Sequence, residues 1–234
     1  MPVMAITDCP AGDGFAAALD AFCEGAYAQA RGLLEPLANG GHAEAQAWLG
    51  ALHANGLGVP ASPGTAFAWY RRAAEQGHLA AATNVGAMLA MGQGVARDRG
   101  AALIWLERAA EGGDTMACYN LATLLAKGDG IAPDPARAAA LYRRAAETGH
   151  YPSQARLGHL YAHGIGVAQD RVEGFAWLTL AARHGVGTAL TALEAVIREM
   201  SAEEKRRGTT RAQSLQGGGS AQAMGPSRLN PIPA

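Results

Sequence analysis

Aromatic side chains are scarce in this sequence, 6% of 234 residues, although 49% of the chain is apolar. Most of the core must then be alanine and aliphatic chains, which with 31 glycines points to closely packed helices punctuated by turns. Charge of either sign is also lacking. A net charge of −1 and a pI near 6.7 give no bulk attraction to nucleic acid or an acidic membrane, so neither is expected as a partner. The three cysteines, Cys9, Cys23 and Cys118, form an odd set without a C-x-x-C pair. They fit a reducing cytosol better than a disulfide framework. No uncharged apolar run approaches the roughly 18 residues of a spanning helix. The opening "MPVMAITDCPAGDGF" has no basic stretch leading into an apolar one, so it makes a poor signal peptide. A cytoplasmic, monomeric protein is expected.

What the sequence does have is a period of 36 residues. Leu49-Gly50, Val85-Gly86, Leu121-Ala122 and Leu157-Gly158 recur at that spacing, as do Trp69-Tyr70, Trp105-Leu106, Leu141-Tyr142 and Trp177-Leu178. Four units follow, 43–78, 79–114, 115–150 and 151–186. A period in this range signals stacked supersecondary units. In the second half of each unit, apolar residues such as Ala66, Trp69, Tyr70, Ala73 and Ala74 fall on one helical face. Ser62, Asp98, Asp134 and Asp170 stand before that helix as N-caps. Pro63 and Pro135 take the first helical position, where proline is tolerated. An apolar set such as Val85 and Leu89 makes the first half of each unit a helix too.

Between the helices lies a G-x-G quartet: Gly56, Gly92, Gly128 and Gly164 each open one. It follows a helix rather than a strand, and Arg97, Pro133 and Gln169 break the third small position of a dinucleotide fingerprint. The quartet is therefore read as a turn. Its first glycine ends the first helix in a left-handed conformation, and a positive φ is expected at Gly92, Gly128 and Gly164.

The pattern in "AWLGALHANGLGV…AFAWYRRAAEQGH" and "ACYNLATLLAKGDGI…AALYRRAAETGH" resembles the Sel1-like repeat, a relative of the tetratricopeptide repeat. That resemblance implies an all-α fold, an α/α superhelical solenoid of helix-turn-helix repeats with a concave face lined by first helices. It also implies a platform for protein or peptide partners. A cysteine-rich branch of the family is linked to penicillin binding and β-lactamase activity. Here no recurrent cysteine pair exists, and no serine among Ser62, Ser153, Ser201, Ser214, Ser220 and Ser227 has the lysine of an S-x-x-K nucleophile. A non-enzymatic scaffold is the first reading, a hydrolase of that branch the second, and no cofactor is expected.

A solenoid end exposes the face that a neighbour would cover. Residues 15–42 read as an N-terminal capping helical pair after a flexible 1–14. Residues 187–216 read as C-terminal capping helices, and 217–234, rich in Gly, Ser and Pro, as a disordered tail. Leu180 replaces the arginine of Arg72, Arg108 and Arg144, which predicts a cover from helix 188–200 through Leu190, Leu193, Ile197 and Met200. Ser201 and Glu204 form an S-x-x-E capping box.

The groove candidates sit on the first helices: Asn55, Thr83, Asn84, Met91, Met116, Tyr119, Asn120, Thr123, Lys127, His159 and His163. Asn84 and Asn120 could pair with the backbone of an extended peptide, and Tyr119 and Met116 could anchor it. His159 and His163 have i, i+4 metal-ligand spacing, but no third ligand is evident, so no metal site is assigned. His42, His78 and His150 recur with the architecture and read as helix-start residues. Arg72, Arg108 and Arg144 are expected to pair with Glu75, Glu111 and Glu147 on the outer surface.

Overall fold

The structure, a computed structural model, describes residues 11–128 and 130–218. Among them are twelve helices and no strand. The remainder of the expected flexible start and nearly all of the expected disordered tail lie outside the described residues. The fold is an all-α solenoid of helix pairs.

The chain divides into two compact units, meeting at residues 109 and 110. The first carries α1 (Ala11–Cys23), α2 (Tyr27–Asn39), α3 (Ala43–Asn55), α4 (Pro63–Glu75), α5 (Leu79–Met91) and most of α6 (Arg99–Glu111). The second carries α7 (Thr115–Lys127), α8 (Pro135–Glu147), α9 (Tyr151–His163), α10 (Arg171–Arg183), α11 (Gly187–Glu199) and α12 (Ala202–Gly218). Helix α1 begins at Ala11, inside the segment expected to be flexible, because a first helical turn needs no apolar face of its own. In the first unit α1, α2 and α3 close a core of Leu34, Trp48, Leu49 and Leu52, with Phe15, Phe22 and Tyr27 against it.

Side-chain caps set the helix starts from α3 to α10 and at α12. Ser62 Oγ, Asp98 Oδ1, Asp134 Oδ1 and Asp170 Oδ1 accept backbone N–H groups at the starts of α4, α6, α8 and α10. The recurrent histidines do the same for first helices. His42 and His78 accept through Nδ1 at 3.1 Å and His150 at 3.3 Å, where Asp114 uses a carboxylate at 2.7 Å. An accepting Nδ1 requires the neutral ring with its proton on Nε2. Burial holds His150 below the ordinary imidazole range and so keeps it in that form.

Both glycines of the quartet are structural. The first has the expected left-handed φ: 68° at Gly56, 75° at Gly92, 63° at Gly128 and 69° at Gly164. The second brings the loop onto the start of the preceding second helix, backbone against backbone. A Cβ on Gly94 would lie 2.3 Å from the Pro63 carbonyl carbon, and one on Gly166 only 2.1 Å from the Pro135 carbonyl oxygen. Within each pair, Gly50, Gly86 and Gly158 leave space for Tyr70, Leu106 and Leu178, each within 2.7 Å of where a Cβ would stand.

The C-terminal cover is in part the one expected: Leu180 and Met200 are buried and Leu193 packs against the same core, but Leu190 is 53% exposed, and α11 buries Ala189 and Val196 in its place. These positions continue the 36-residue register of Ser153 and Leu160, so α11 takes the place of one more first helix. Helix α12 completes the cover that α11 begins over α10, bringing Gly208 against Phe175 and burying Ala212. Its start has the capping box: Glu204 N–H donates to Ser201 Oγ at 3.2 Å, and Ser201 N–H donates to Glu204 Oε2 at 2.8 Å. These bonds hold the Glu204 carboxyl below its usual range.

The arginine pairing also differs. Arg71, not Arg72, pairs with Glu75, at 2.8 Å. Arg72 and Arg108 lie over Trp69 and Trp105, at 4.8 and 5.9 Å from the ring centres. Arg144 reaches back to the Ala110 carbonyl at 2.8 Å. A flat apolar ring or a partly covered helix-end carbonyl offers a guanidinium a less hydrated partner than an exposed carboxylate does.

Two predictions follow from these contacts. Gly166→Ala should destabilise the chain by about 1–3 kcal/mol more than Gly185→Ala, where φ is also positive but the space is open. Equal urea midpoints for the two variants would contradict the close approach. The Tyr142 hydroxyl bonds Thr123 Oγ1 at 2.9 Å, whereas the equivalent Tyr70 hydroxyl is buried with no partner among the described residues. Ala51 stands where Thr123 stands. Tyr142→Phe should therefore cost about 1 kcal/mol, while Tyr70→Phe should be neutral or stabilising. A thermal melt in which Tyr70→Phe loses as much as Tyr142→Phe would reverse this reading.

Candidate functional site

In the second unit, three first helices border one cavity of about 210 Å³. Helix α7 contributes Tyr119, α9 contributes Pro152, Ala155, Arg156 and His159, and the start of α11 contributes Thr188. Small residues at Ala155 and Ala192 keep it open. Tyr119 is held edge-on against His150, with ring centres 5.0 Å apart, and tilted against Tyr142 at 5.8 Å. Its ring is thus fixed before any ligand arrives. Thr123, half-buried, donates to the Tyr119 carbonyl at 2.9 Å and meets the Tyr142 hydroxyl, so its polar atom serves the repeat. Met116 and Asn120 are half-buried on the same helix.

Asn55, Met91, Lys127 and His163 each end a first helix and share one repeat position. All four are exposed. Asn55 Nδ2 is turned back to the Ala51 carbonyl at 2.9 Å. The expectation for Thr83 and Asn84 needs correction. They are 1% and 2% exposed, with no surface to offer a partner. Thr83 Oγ1 donates to the Leu79 carbonyl at 3.2 Å, within its own helix. Their register matches Tyr119 and Asn120, but the packing around α5 closes over the smaller side chains.

Arg156 was missed by the sequence reading. It holds the repeat position of Asn84 and Asn120, so carrying the register into the fourth unit would have found it. The cavity's charged groups are cationic: Arg156 and, on protonation, His159, with exposed His163 one turn on. Burial, and then the charges of His163 and Arg156, hold His159 below the ordinary imidazole range. The His159 and His163 rings are tilted, with centres 4.2 Å apart, and His163 Nδ1 bonds the His159 carbonyl at 2.9 Å. Among the described residues no group of three or more metal-ligating side chains gathers there or elsewhere. None of the described helices is long and apolar enough to cross a membrane.

Comparison with known proteins agrees with this architecture. The Sel1 repeat family matches residues 43–78, 79–114, 115–150 and 152–186. A Sel1 repeat protein from Oxalobacter formigenes is 35% identical over 73% of this chain and 49% of its own, with a TM-score of 0.65. A protective antigen of uropathogenic Escherichia coli strains, displaying an SLR fold, superposes with a TM-score of 0.82 at 24% identity. That match covers 92% of this chain and 49% of the antigen. This chain thus spans about half the length of either. A Sel1 repeat protein from Klebsiella pneumoniae shares the fold at 18% identity and a TM-score of 0.53, over 80% of this chain and 92% of its own. No curated protein matches the chain significantly. With its four matched units covering more than half of its length, the chain belongs to the Sel1 repeat family.

Proposed function

We infer that this protein is a non-enzymatic scaffold that holds an acidic segment of a protein partner on the first helices of its second unit. The observation that carries this reading is the cavity bordered by α7, α9 and α11, which joins an immobilised tyrosine to a cationic wall. Tyr119 supplies rigid apolar area, and Arg156 a guanidinium fork that matches a carboxylate. Met116, Asn120, Lys127 and His163 extend the same surface toward the ends of α7 and α9. In the first unit, Asn55 and Met91 are the exposed candidates that remain. Buried Cys118, whose thiol pKa burial pushes up, suits a reducing cytoplasm.

Selection of peptides from a random library on the immobilised full chain tests this directly. Enriched sequences should carry Asp or Glu beside an apolar residue. Arg156→Glu and Tyr119→Ala should each weaken a selected peptide about tenfold or more, with an unchanged circular dichroism spectrum. Peptides that keep their affinity for both variants would remove the surface from consideration. Affinity should also depend on pH. His159 is neutral near pH 7 because its folded pKa is lowered, and a ligand carboxylate favours its charged form. Binding should then take up a proton and strengthen as pH falls through the His159 pKa. His159→Ala should flatten that dependence in isothermal titrations at several pH values. A slope retained in the variant would assign the titration elsewhere.

A further inference from the structure

A second cavity in the same unit, of about 390 Å³, opens where three helices end. Glu147 comes from the last turn of α8, Leu180 and His184 from the end of α10, and Leu215 from the last turn of α12. Helix C-termini leave carbonyl groups unsatisfied and carry a partial negative charge, and three of them border this cavity against one helix start, that of α9 at Tyr151.

Comparing the repeats shows what this place lacks. In the first repeat, Gln46 Nε2 donates to the Ala38 carbonyl at 2.9 Å, and its Oε1 accepts from Gln76 Nε2 at 2.7 Å. Gln154 repeats the first bond, donating to the Ala146 carbonyl at 3.1 Å. At the Gln76 position, however, stands His184, whose ring lies flat on Tyr151 with centres 3.7 Å apart. Gln154 Oε1 is left without a hydrogen-bond partner among the described residues, on a residue only 6% exposed that lines the cavity. A buried acceptor without a donor is costly, and a donor brought by a ligand would recover that cost.

The second comparison concerns the tryptophan. Trp69 and Trp105 each carry the guanidinium of the arginine three residues on. After Trp177 that residue is Leu180, buried under the C-terminal helices, and Trp177, itself 4% exposed where Trp69 and Trp105 are half-buried, borders the cavity. The cation already on the wall, Arg211, is held by Glu173 at 2.6 Å. Glu147 stands exposed at the rim.

We propose that this cavity is a binding site for the guanidinium of an arginine side chain. The guanidinium lies against Trp177, donates to Gln154 Oε1 and pairs with Glu147, replacing the contacts that repeats one and two make with their own arginines. A volume of a few hundred cubic ångströms is at the lower end for small-ligand sites and accommodates one such side chain. The site is separate from the first-helix cavity and does not rest on the function inferred for it.

The test is a titration of the full chain, followed by isothermal calorimetry and by the Trp177 indole NMR signal. The probes are N-acetylarginine amide, free L-arginine and the neutral isostere N-acetylcitrulline amide. The arginine probes should shift the Trp177 signal saturably, and the citrulline probe should bind about tenfold more weakly or worse. Tighter binding of the capped form identifies a residue within a protein segment as the source, and tighter binding of the free form a small-molecule source. Glu147→Gln, an exposed change, should weaken binding about two- to fivefold. Leu180→Arg should abolish it by placing the repeat's own guanidinium over Trp177. Equal binding of the citrulline probe, unchanged affinity in a folded Glu147→Gln protein, or no saturable Trp177 shift would each overturn the proposal.

Discussion

The fold depends on backbones approaching with almost nothing between them. Where Gly50 faces the Tyr70 ring, or Gly158 faces Leu178, the first helix presents bare main chain to the second. The same occurs at Gly94 and Gly166, where a loop rests on the start of the preceding second helix. Contacts this close are built from dispersion and exclude water without large side chains. They explain how a chain with so few aromatics buries a core within each of its two units. They leave no room for a Cβ at Gly94 or Gly166, where the neighbour is main chain, whereas the third repeat admits Ala122 at the position of Gly50 and Gly158.

Close packing leaves a polar problem at each joint, because a second helix ends with carbonyls that its neighbour partly covers. The chain solves it in two ways. Gln46 and Gln154 reach back from the following first helix to the Ala38 and Ala146 carbonyls. At the third repeat Cys118 holds the glutamine position and cannot do so, and Arg144 from the following second helix serves the Ala110 carbonyl. Cys118 is thus a structural variant rather than a nucleophile, and burial pushing its thiol pKa up agrees with that.

Much of this was legible in the sequence because it is local or periodic. The caps at Ser62, Asp134 and Asp170, the left-handed turns at Gly92 and Gly164, and the helix-start role of His150 each need only a few neighbouring residues to be inferred. What escaped depends on the size and identity of neighbours across helices. Thr83 shares its register with Tyr119, yet one is sealed and the other borders a cavity, since a short side chain is covered where a ring projects. The second glycine of the quartet carried no local signal, because its constraint is a backbone belonging to the preceding repeat. Leu190 was assigned to the core from an apolar stripe read in isolation, whereas the register of Ser153 and Leu160 would have chosen Ala189 and Val196.

The same logic locates function in a repeat protein. A position filled alike in every repeat answers to the architecture, so the informative residues are those where one repeat departs without a structural substitute. Cys118 departs and is compensated by Arg144, which closes the matter within the fold. Arg156 departs from Asn84 and Asn120 and gains no described hydrogen bond or ion pair in exchange, only a place in an open cavity beside a fixed tyrosine. His184 departs from Gln76 and leaves an acceptor stranded. Leu180 departs from three arginines under the C-terminal cover, and Trp177 beside it borders a cavity instead of carrying a guanidinium. Departures that cost the folded chain something, and that border an open cavity, are where a ligand's contribution best accounts for the residue present.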